Sequence, residues 1–464
     1  MKRRITMDFY QLAKKYEADL VRDLQEIVRI PSLFDETTIT ENAPFGNELR
    51  RALDWFLAKG SAEGFEAKDY QGYAGYLSWG EGEQSLGILG HLDIVPIGVG
   101  WSKEPFGAEV IDGVMYGRGT GDDKGPTIAA FTALKLLKDA GFTPKKKIYL
   151  IAGCDEESGM ACMKHYKEHG PIPDFGFVPD ASFPVIYGEK GIMNVKVTAA
   201  AESVVVKLEA GERPNIVIGE AEVTVAGLPK EKDFDFYLAT QDVKGSYRVE
   251  DGNTVYHFDG IFSHGSVPQE GINAAWHALN FVGGAYQDKV SHTVASLLAD
   301  YRGKQLGIKK KGSHMGDLTV NLGIVRMHEN DVSFVLDIRY PQECDGNELF
   351  QTIQKTFSSS GLNCEVQCLI DKGPLFVDPK SELVSTLEKI YRKHSQDNTT
   401  PLLTMGGGTY ARTLPNFVAF GAEFPQRPMI QGVGDAHQKD EGVEVEALVL
   451  ATAIYAEAIY ELTR

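Results

Sequence analysis

The sequence is short of cysteine, contains no CxxC pair and has no apolar run long enough to span a bilayer. Its five cysteines (Cys154, Cys162, Cys344, Cys364, Cys368) are odd in number and scattered, which excludes a disulfide framework and a structural zinc knuckle. A reducing cytoplasm fits such usage. Basic residues are in deficit too: 47 Lys and Arg against 65 Asp and Glu leave a net charge of -18. Nucleic acid and anionic membrane are therefore excluded as partners, whereas cations are welcome. The opening MKRRITMDFYQLAKKYEADL is basic but runs into an amphipathic helical pattern instead of the apolar core of a signal peptide. A soluble, cytoplasmic protein is expected.

What is present is ordinary globular composition, 464 residues with 43% hydrophobic and 24% charged, enough for two or three domains. From Ser85 to about Val178, short apolar strands alternate with helices, the pattern of a parallel sheet with crossover helices. Strands are expected at 85–95, 145–153 and 174–180. A helix is expected at 125–141, with Pro126 in its first turn, Ile128, Phe131, Leu134 and Leu137 on one face and Gly141 as its stop. After about Ile186, longer alternating segments take over, including a hairpin turning at Glu329 and Asn330, interrupted by two clear helices (273–287 and 347–361). Near Val377 the α/β texture returns. The fold class expected is thus α/β, with a mostly parallel sheet flanked by helices in residues 1–186 and 378–464. An inserted α+β domain with an antiparallel sheet occupies 187–377.

The stretch IAGCDEESGM sets Asp155, Glu156 and Glu157 at the end of a strand. Two such charges about 5 Å apart repel by about 0.8 kcal/mol in water and about 3 kcal/mol at a partly buried site. Burial there demands protons or a cation. In GHLDIV, His91 and Asp93 are two apart on a strand and share a face. GRGTGDDKGP puts Asp122 and Asp123 just before a helix, where they could equally be caps. Asp180 follows another strand, and His437 lies in GVGDAHQKDE. Ligands of open parallel sheets bind beyond the carboxyl ends of the strands, where these residues fall. Oxygen and nitrogen donors without a thiolate suit a pair of zinc or manganese ions.

GHLDIVP, YGRGTGDDKGP, DEESG, FVPDA and GDAH, in this order, closely resemble the di-zinc metallopeptidases that include carnosinases and aminoacylases, and the long insertion is most similar to that of the PepV-type dipeptidases. The resemblance implies two Zn2+ per chain, with Mn2+ or Co2+ as substitutes. Asp122 would bridge the two ions, His91 and Asp180 complete one, and Glu157 and His437 the other. It implies Asp93 as the residue orienting His91, Glu156 as the general base toward a metal-bridging water, and a cis peptide between Asp122 and Asp123. In the inserted lid domain His264 would stabilise the oxyanion. Arg339 would face the substrate, although a salt bridge to Asp337 is the other reading of its strand. By the same resemblance Asn215 would be a further lid contact, and Gly407, Gly408 and Thr409 would approach the substrate's terminal carboxylate. Asp155 is left without a role. The implied function is dipeptide hydrolysis, including β-alanyl and D-residue N-termini. An N-acyl amino acid deacylase or tripeptidase on the same scaffold is the nearest alternative, and a non-catalytic metal-binding protein a more distant one. Small dipeptides are the implied partners of a chain expected to be a monomer, with a homodimer as the alternative.

Overall fold

The computed structural model describes residues 7–328 and 330–464. The chain divides into two compact units, one formed by residues up to Tyr187, Val377–Leu403 and Gly408–Arg464, the other by Gly188–Phe376 and Thr404–Gly407.

The first unit is built on a mixed sheet in which Glu66–Tyr70, Ala74–Trp79, Lys147–Gly153, Ser85–His91, Phe175–Val178 and Phe417–Ala419 lie side by side. The last four run parallel. Leu86, Ile88, Leu89, Ile148, Leu150 and Ile151 are wholly buried, as continuous apolar strands covered on both faces must be. The strand expected to reach residue 95 stops at His91. Beyond it the backbone leaves the ladder, with the Ile94 amide donating to the Ser32 carbonyl.

The helix after the paired aspartates covers Lys124–Asp139, and its predicted apolar face, Ile128, Phe131, Leu134 and Leu137, is buried. Gly90 explains how closely its start lies on the sheet. A Cβ there would sit 2.0 Å from Thr127 Oγ1 and 2.7 Å from Asp123 Oδ2. On its other side the helix packs against the closing helix Val445–Thr463. A small antiparallel sheet joins Glu109–Ile111, Val114–Tyr116 and Gly442–Glu444, with Gly442 opposite Tyr116.

The second unit carries an eight-stranded sheet, antiparallel in every pair. Strands Thr319–His328 and Asp331–Tyr340 form the predicted hairpin. Of the two residues assigned to its turn, Glu329 lies outside the described residues. Val195, Leu208, Val223, Phe258, Leu336 and Phe281 share the core of this unit. The two predicted helices are present as Ala274–Ala285 and Gly346–Ser358, and two more, Glu231–Gln241 and Lys289–Leu297, join them. The first of these buries only Phe234, so it shows no apolar stripe to read. The fold class is α/β, plus an α+β insertion built on an antiparallel sheet; the central sheet is mixed, its parallel core of four strands flanked by antiparallel strands at both sides, where a mostly parallel sheet was expected. All five cysteines are free. Among the described residues no helix is long and apolar enough to cross a membrane.

Candidate metal centre

The carboxyl ends of three parallel strands supply most of the site. His91 ends the strand Ser85–His91, Glu156 and Glu157 follow Lys147–Gly153, and Asp180 follows Phe175–Val178. His91 is fully buried, and its Nδ1 lies 2.9 Å from the Asp93 carbonyl. A carbonyl can only accept, so the ring proton sits on Nδ1 and Nε2 presents its lone pair. That lone pair faces Asp122 Oδ1 at 3.0 Å and Asp180 Oδ2 at 3.8 Å. Two electron-rich atoms held this close need a proton or a metal ion between them.

The second oxygen of Asp122 looks the other way. His437 Nε2 lies 2.9 Å from Asp122 Oδ2 and 2.9 Å from Glu157 Oε1. One carboxylate thus faces two separate donor sets, His91 with Asp180 and His437 with Glu157. Ligand atoms of His91, Asp122 and Glu157, and of His91, Glu156 and Asp180, converge within 4.8 Å of one another. These nitrogen and oxygen donors, with no thiolate among them, fit divalent ions such as zinc or manganese. A cavity of about 280 Å³ adjoins Asp122 and Asp180 and is lined further by Glu423 and Asp435.

By the protein's own charges the cluster is overloaded with negative groups. Burial among them pushes Glu156 up to about 8, against the opposing pull of His91 and with Glu157 and Asp93 adding to the rise. Burial and the neighbouring Asp122 carry Asp180 well above the carboxylate range. Burial would lower His91, but Asp122 and Asp93 outweigh it and hold the imidazole well above its ordinary value. Hydrogen bonds to Asp122 and Glu157 lift His437 to about 10. Asp122 is held low despite its burial, because both histidines face it. Where protons collect on such a set, a divalent cation competes for the same lone pairs.

The residues around the ligands make further contacts of their own. Asp93 meets His91 chiefly through its backbone carbonyl, its Oδ1 being 3.4 Å away. Its two carboxylate oxygens instead accept the Glu156 and Glu157 amides, each at 3.0 Å. Asp155, for which the sequence suggested no role, accepts the amide of Ala161, first residue of the helix Ala161–His169, at 2.7 Å. Neither Asp122 nor Asp123 caps the following helix with its side chain. Asp123 Oδ2 instead takes the His91 amide at 3.1 Å and the Thr127 hydroxyl at 2.8 Å, and the Asp122–Asp123 peptide is cis. Tyr410, fully buried, offers its hydroxyl oxygen to the Asp155 amide and contacts Cys162 Sγ at 2.7 Å. It stood unremarked inside a glycine-rich segment read for its glycines.

Asn215, His264, Arg339 and Gly407 belong to the second unit, Gly408 and Thr409 to the first. His264 is exposed and bridges backbone to backbone with Ile216. The Ser266 amide donates to its Nδ1 at 3.2 Å, so the proton of the neutral ring sits on Nε2. Burial and then Arg339 lower its pKa, favouring that neutral ring. The Asn215 carbonyl accepts the Gly265 amide. Arg339 does form the ion pair with Asp337, at 2.8 Å, and also donates to the Gly406 carbonyl at 2.8 Å. Thr409 Oγ1 accepts the Ala411 amide, and a Cβ on Gly408 would collide with the Arg412 guanidinium.

Comparison with known proteins decides the family. The pattern of peptidase family M20/M25/M40 matches residues 87–461, a span that includes every proposed metal ligand. The chain belongs to peptidase family M20/M25/M40. It is a metallopeptidase-type hydrolase, for which divalent metal cofactors are the rule in this family. Among its relatives, YtjP of Bacillus subtilis (strain 168), provisionally named a dipeptidase, is 39% identical over 96% of this chain and 97% of its own. A protein of Staphylococcus haemolyticus (strain JCSC1435) with the same provisional naming is 34% identical over 97% of this chain and 98% of its own. Human carnosine dipeptidase 1 shares the fold, with a TM-score of 0.56 and 14% identity over 98% of both chains. So does a tripeptidase from Staphylococcus aureus, with a TM-score of 0.56 and 16% identity over 96% of this chain and 98% of that one.

Proposed function

We propose that this M20-family hydrolase is a cytoplasmic dipeptidase that binds two divalent ions, zinc with manganese or cobalt as substitutes. The observation that carries the reading is Asp122, whose two oxygens face His91 at 3.0 Å and His437 at 2.9 Å. Asp122 would be held in common by the two ions, with His91 and Asp180 as the further residues that would hold one and Glu157 and His437 the other. When bound, such ions lower the pKa of water toward about 7 and polarise a carbonyl oxygen. Glu157 is committed to ligation, whereas Glu156 stays free to take the proton of the attacking water and return it to the leaving amine. Asp93 holds the backbone of both glutamates and keeps the base beside the ligand. His264, protonated on Nε2, donates to the developing oxyanion. In the second unit Arg339, oriented by Asp337, and the backbone at Gly407 offer donors suited to a substrate carboxylate, with Asn215 a further contact; in the first unit the backbone at Gly408 and Thr409 offers donors of the same kind.

The substrate class rests on relatives at 39% and 34% identity that carry dipeptidase names. Breadth toward β-alanyl and D-residue N-termini is part of the proposal. Turnover of Ala-Ala, β-Ala-His, a D-residue dipeptide, a tripeptide and an N-acetyl amino acid by zinc-loaded protein tests it. Dipeptides are expected to lead, and a preference for the tripeptide or the acetylated compound overturns the assignment. In the same assay Glu156→Gln lowers kcat by about 10²–10⁴-fold with metal content unchanged; undiminished turnover removes Glu156 as the base.

A further inference from the structure

We propose that Arg118 and Glu441 are positioning residues, a buried ion pair that holds Asp122 and His437 in register and thereby sets metal affinity. The inference rests on the two-ion reading above. Its starting point is the small antiparallel sheet, in which Gly442 lies opposite Tyr116. That register brings the segment after residue 116 against the segment before residue 442, and the Gly117 amide donates to the Glu441 carbonyl at 2.9 Å.

The Glu441 side chain, only 1% exposed, holds three backbone amides of the segment that leads into Asp122. Its Oε1 accepts the amides of Gly119 at 3.0 Å, Gly121 at 2.9 Å and Asp122 at 3.3 Å. Gly119 has a φ of +88°, so this loop has the conformational freedom that an external clamp must remove. The other oxygen, Oε2, accepts Arg118 Nη1 at 2.6 Å. Arg118 is equally buried, and its guanidinium lies 5.1 Å over the Trp101 ring.

From there the pair reaches the second ligand. Arg118 Nη2 donates to the His437 carbonyl at 3.3 Å and to the Ile97 carbonyl at 3.4 Å. His437 sits in an exposed loop at a φ of +65°, a left-handed conformation uncommon outside glycine. Asp440 anchors the same loop by accepting the Ser102 and Lys103 amides. One end of the ion pair therefore grips the backbone of Asp122 and the other that of His437, whose side chains meet at 2.9 Å. The pairing also neutralises Glu441, so it supplies an acceptor without adding net charge beside four other carboxylates.

The test is zinc binding by chelator-buffered titration of Arg118→Lys, Glu441→Gln and the double variant Arg118→Met with Glu441→Gln, with melting curves on the same samples. The double variant removes both charges together and leaves neither buried alone. Folded variants are expected to bind zinc about 10- to 100-fold more weakly, with dipeptide KM unchanged at saturating zinc. Folded variants with wild-type zinc affinity overturn the proposal, as does a KM that moves while affinity stays. Asp122→Ala and His437→Ala separate the two layers of inference. If these also leave zinc binding intact, the ligand assignment fails, whereas loss of zinc in them alone condemns only the positioning role.

Discussion

Asp155, Glu156 and Glu157 are consecutive carboxylates with three different surroundings. Asp155 holds a helix start, Glu157 faces His437, and Glu156 lies between them with its amide held by Asp93. Asp155→Ala is accordingly expected to cost about 1 kcal/mol of stability, the loss of a carboxylate acceptor at a helix start, while kcat/KM of the folded, metal-loaded variant stays within a few-fold of wild type. Thermal melts and steady-state kinetics check both halves. The type and position of Glu156 and Glu157 were readable as a charge conflict at a strand end. The solution for Asp155 was not, because its partner Ala161 is an alanine whose only contribution is a backbone amide. Arg118 and Glu441 were hidden for a related reason, since each sits inside a motif whose more conspicuous residues drew the chemistry.

Elements were legible in proportion to how one-sidedly they are buried. The helix Lys124–Asp139 announces itself through four apolar positions at helical spacing, and its neighbouring strands through unbroken apolar runs. By contrast, Lys244–Glu250 and Cys364–Lys372 are the two edges of the antiparallel sheet and are largely exposed. Edge strands carry polar side chains that discourage further pairing, so they offer little apolar alternation to read. The strand bearing Arg339 is informative in another way. Its alternation correctly separates Phe334, Leu336 and Ile338 from Asp337 and Arg339, yet all five are buried. The helix Ala274–Ala285 supports a pH prediction. Burial lowers His277 to about 4, and the ring contacts the Tyr237 hydroxyl at 3.0 Å. Between pH of about 6.5 and 4 the unfolded chain binds this proton and the folded one does not. Stability is thus fully present above about 6.5 and falls as pH drops toward 4. Replacing His277 with Gln should flatten that part of the stability curve measured by denaturant unfolding, and an unchanged slope refutes the assignment.

At the scale of the whole molecule, surplus negative charge and surplus ligand capacity point the same way. Removing divalent ions with a chelator should abolish hydrolysis and lower the melting temperature, and zinc should restore both. At 100 times its dissociation constant a ligand adds about 2.7 kcal/mol to the folded state. A melting temperature indifferent to zinc contradicts a ligand set drawn from separate strands and loops. The fold class was accessible from texture alone, because α/β and antiparallel regions differ in the period of their apolar residues. What texture does not show is which distant segments meet: Phe417–Ala419 pairs with Phe175–Val178 across the entire insertion.

That long-range pairing gives the centre an order of assembly during synthesis. His91, Asp122, Glu157 and Asp180 emerge from the ribosome together, but His437 and Glu441 follow only after the complete insertion and the last strand of the central sheet. A nascent chain halted before Gly434 therefore holds one donor set and half of the clamp. Hydrolytic competence therefore waits for the segment that carries His437 and Glu441, made only after the whole insertion.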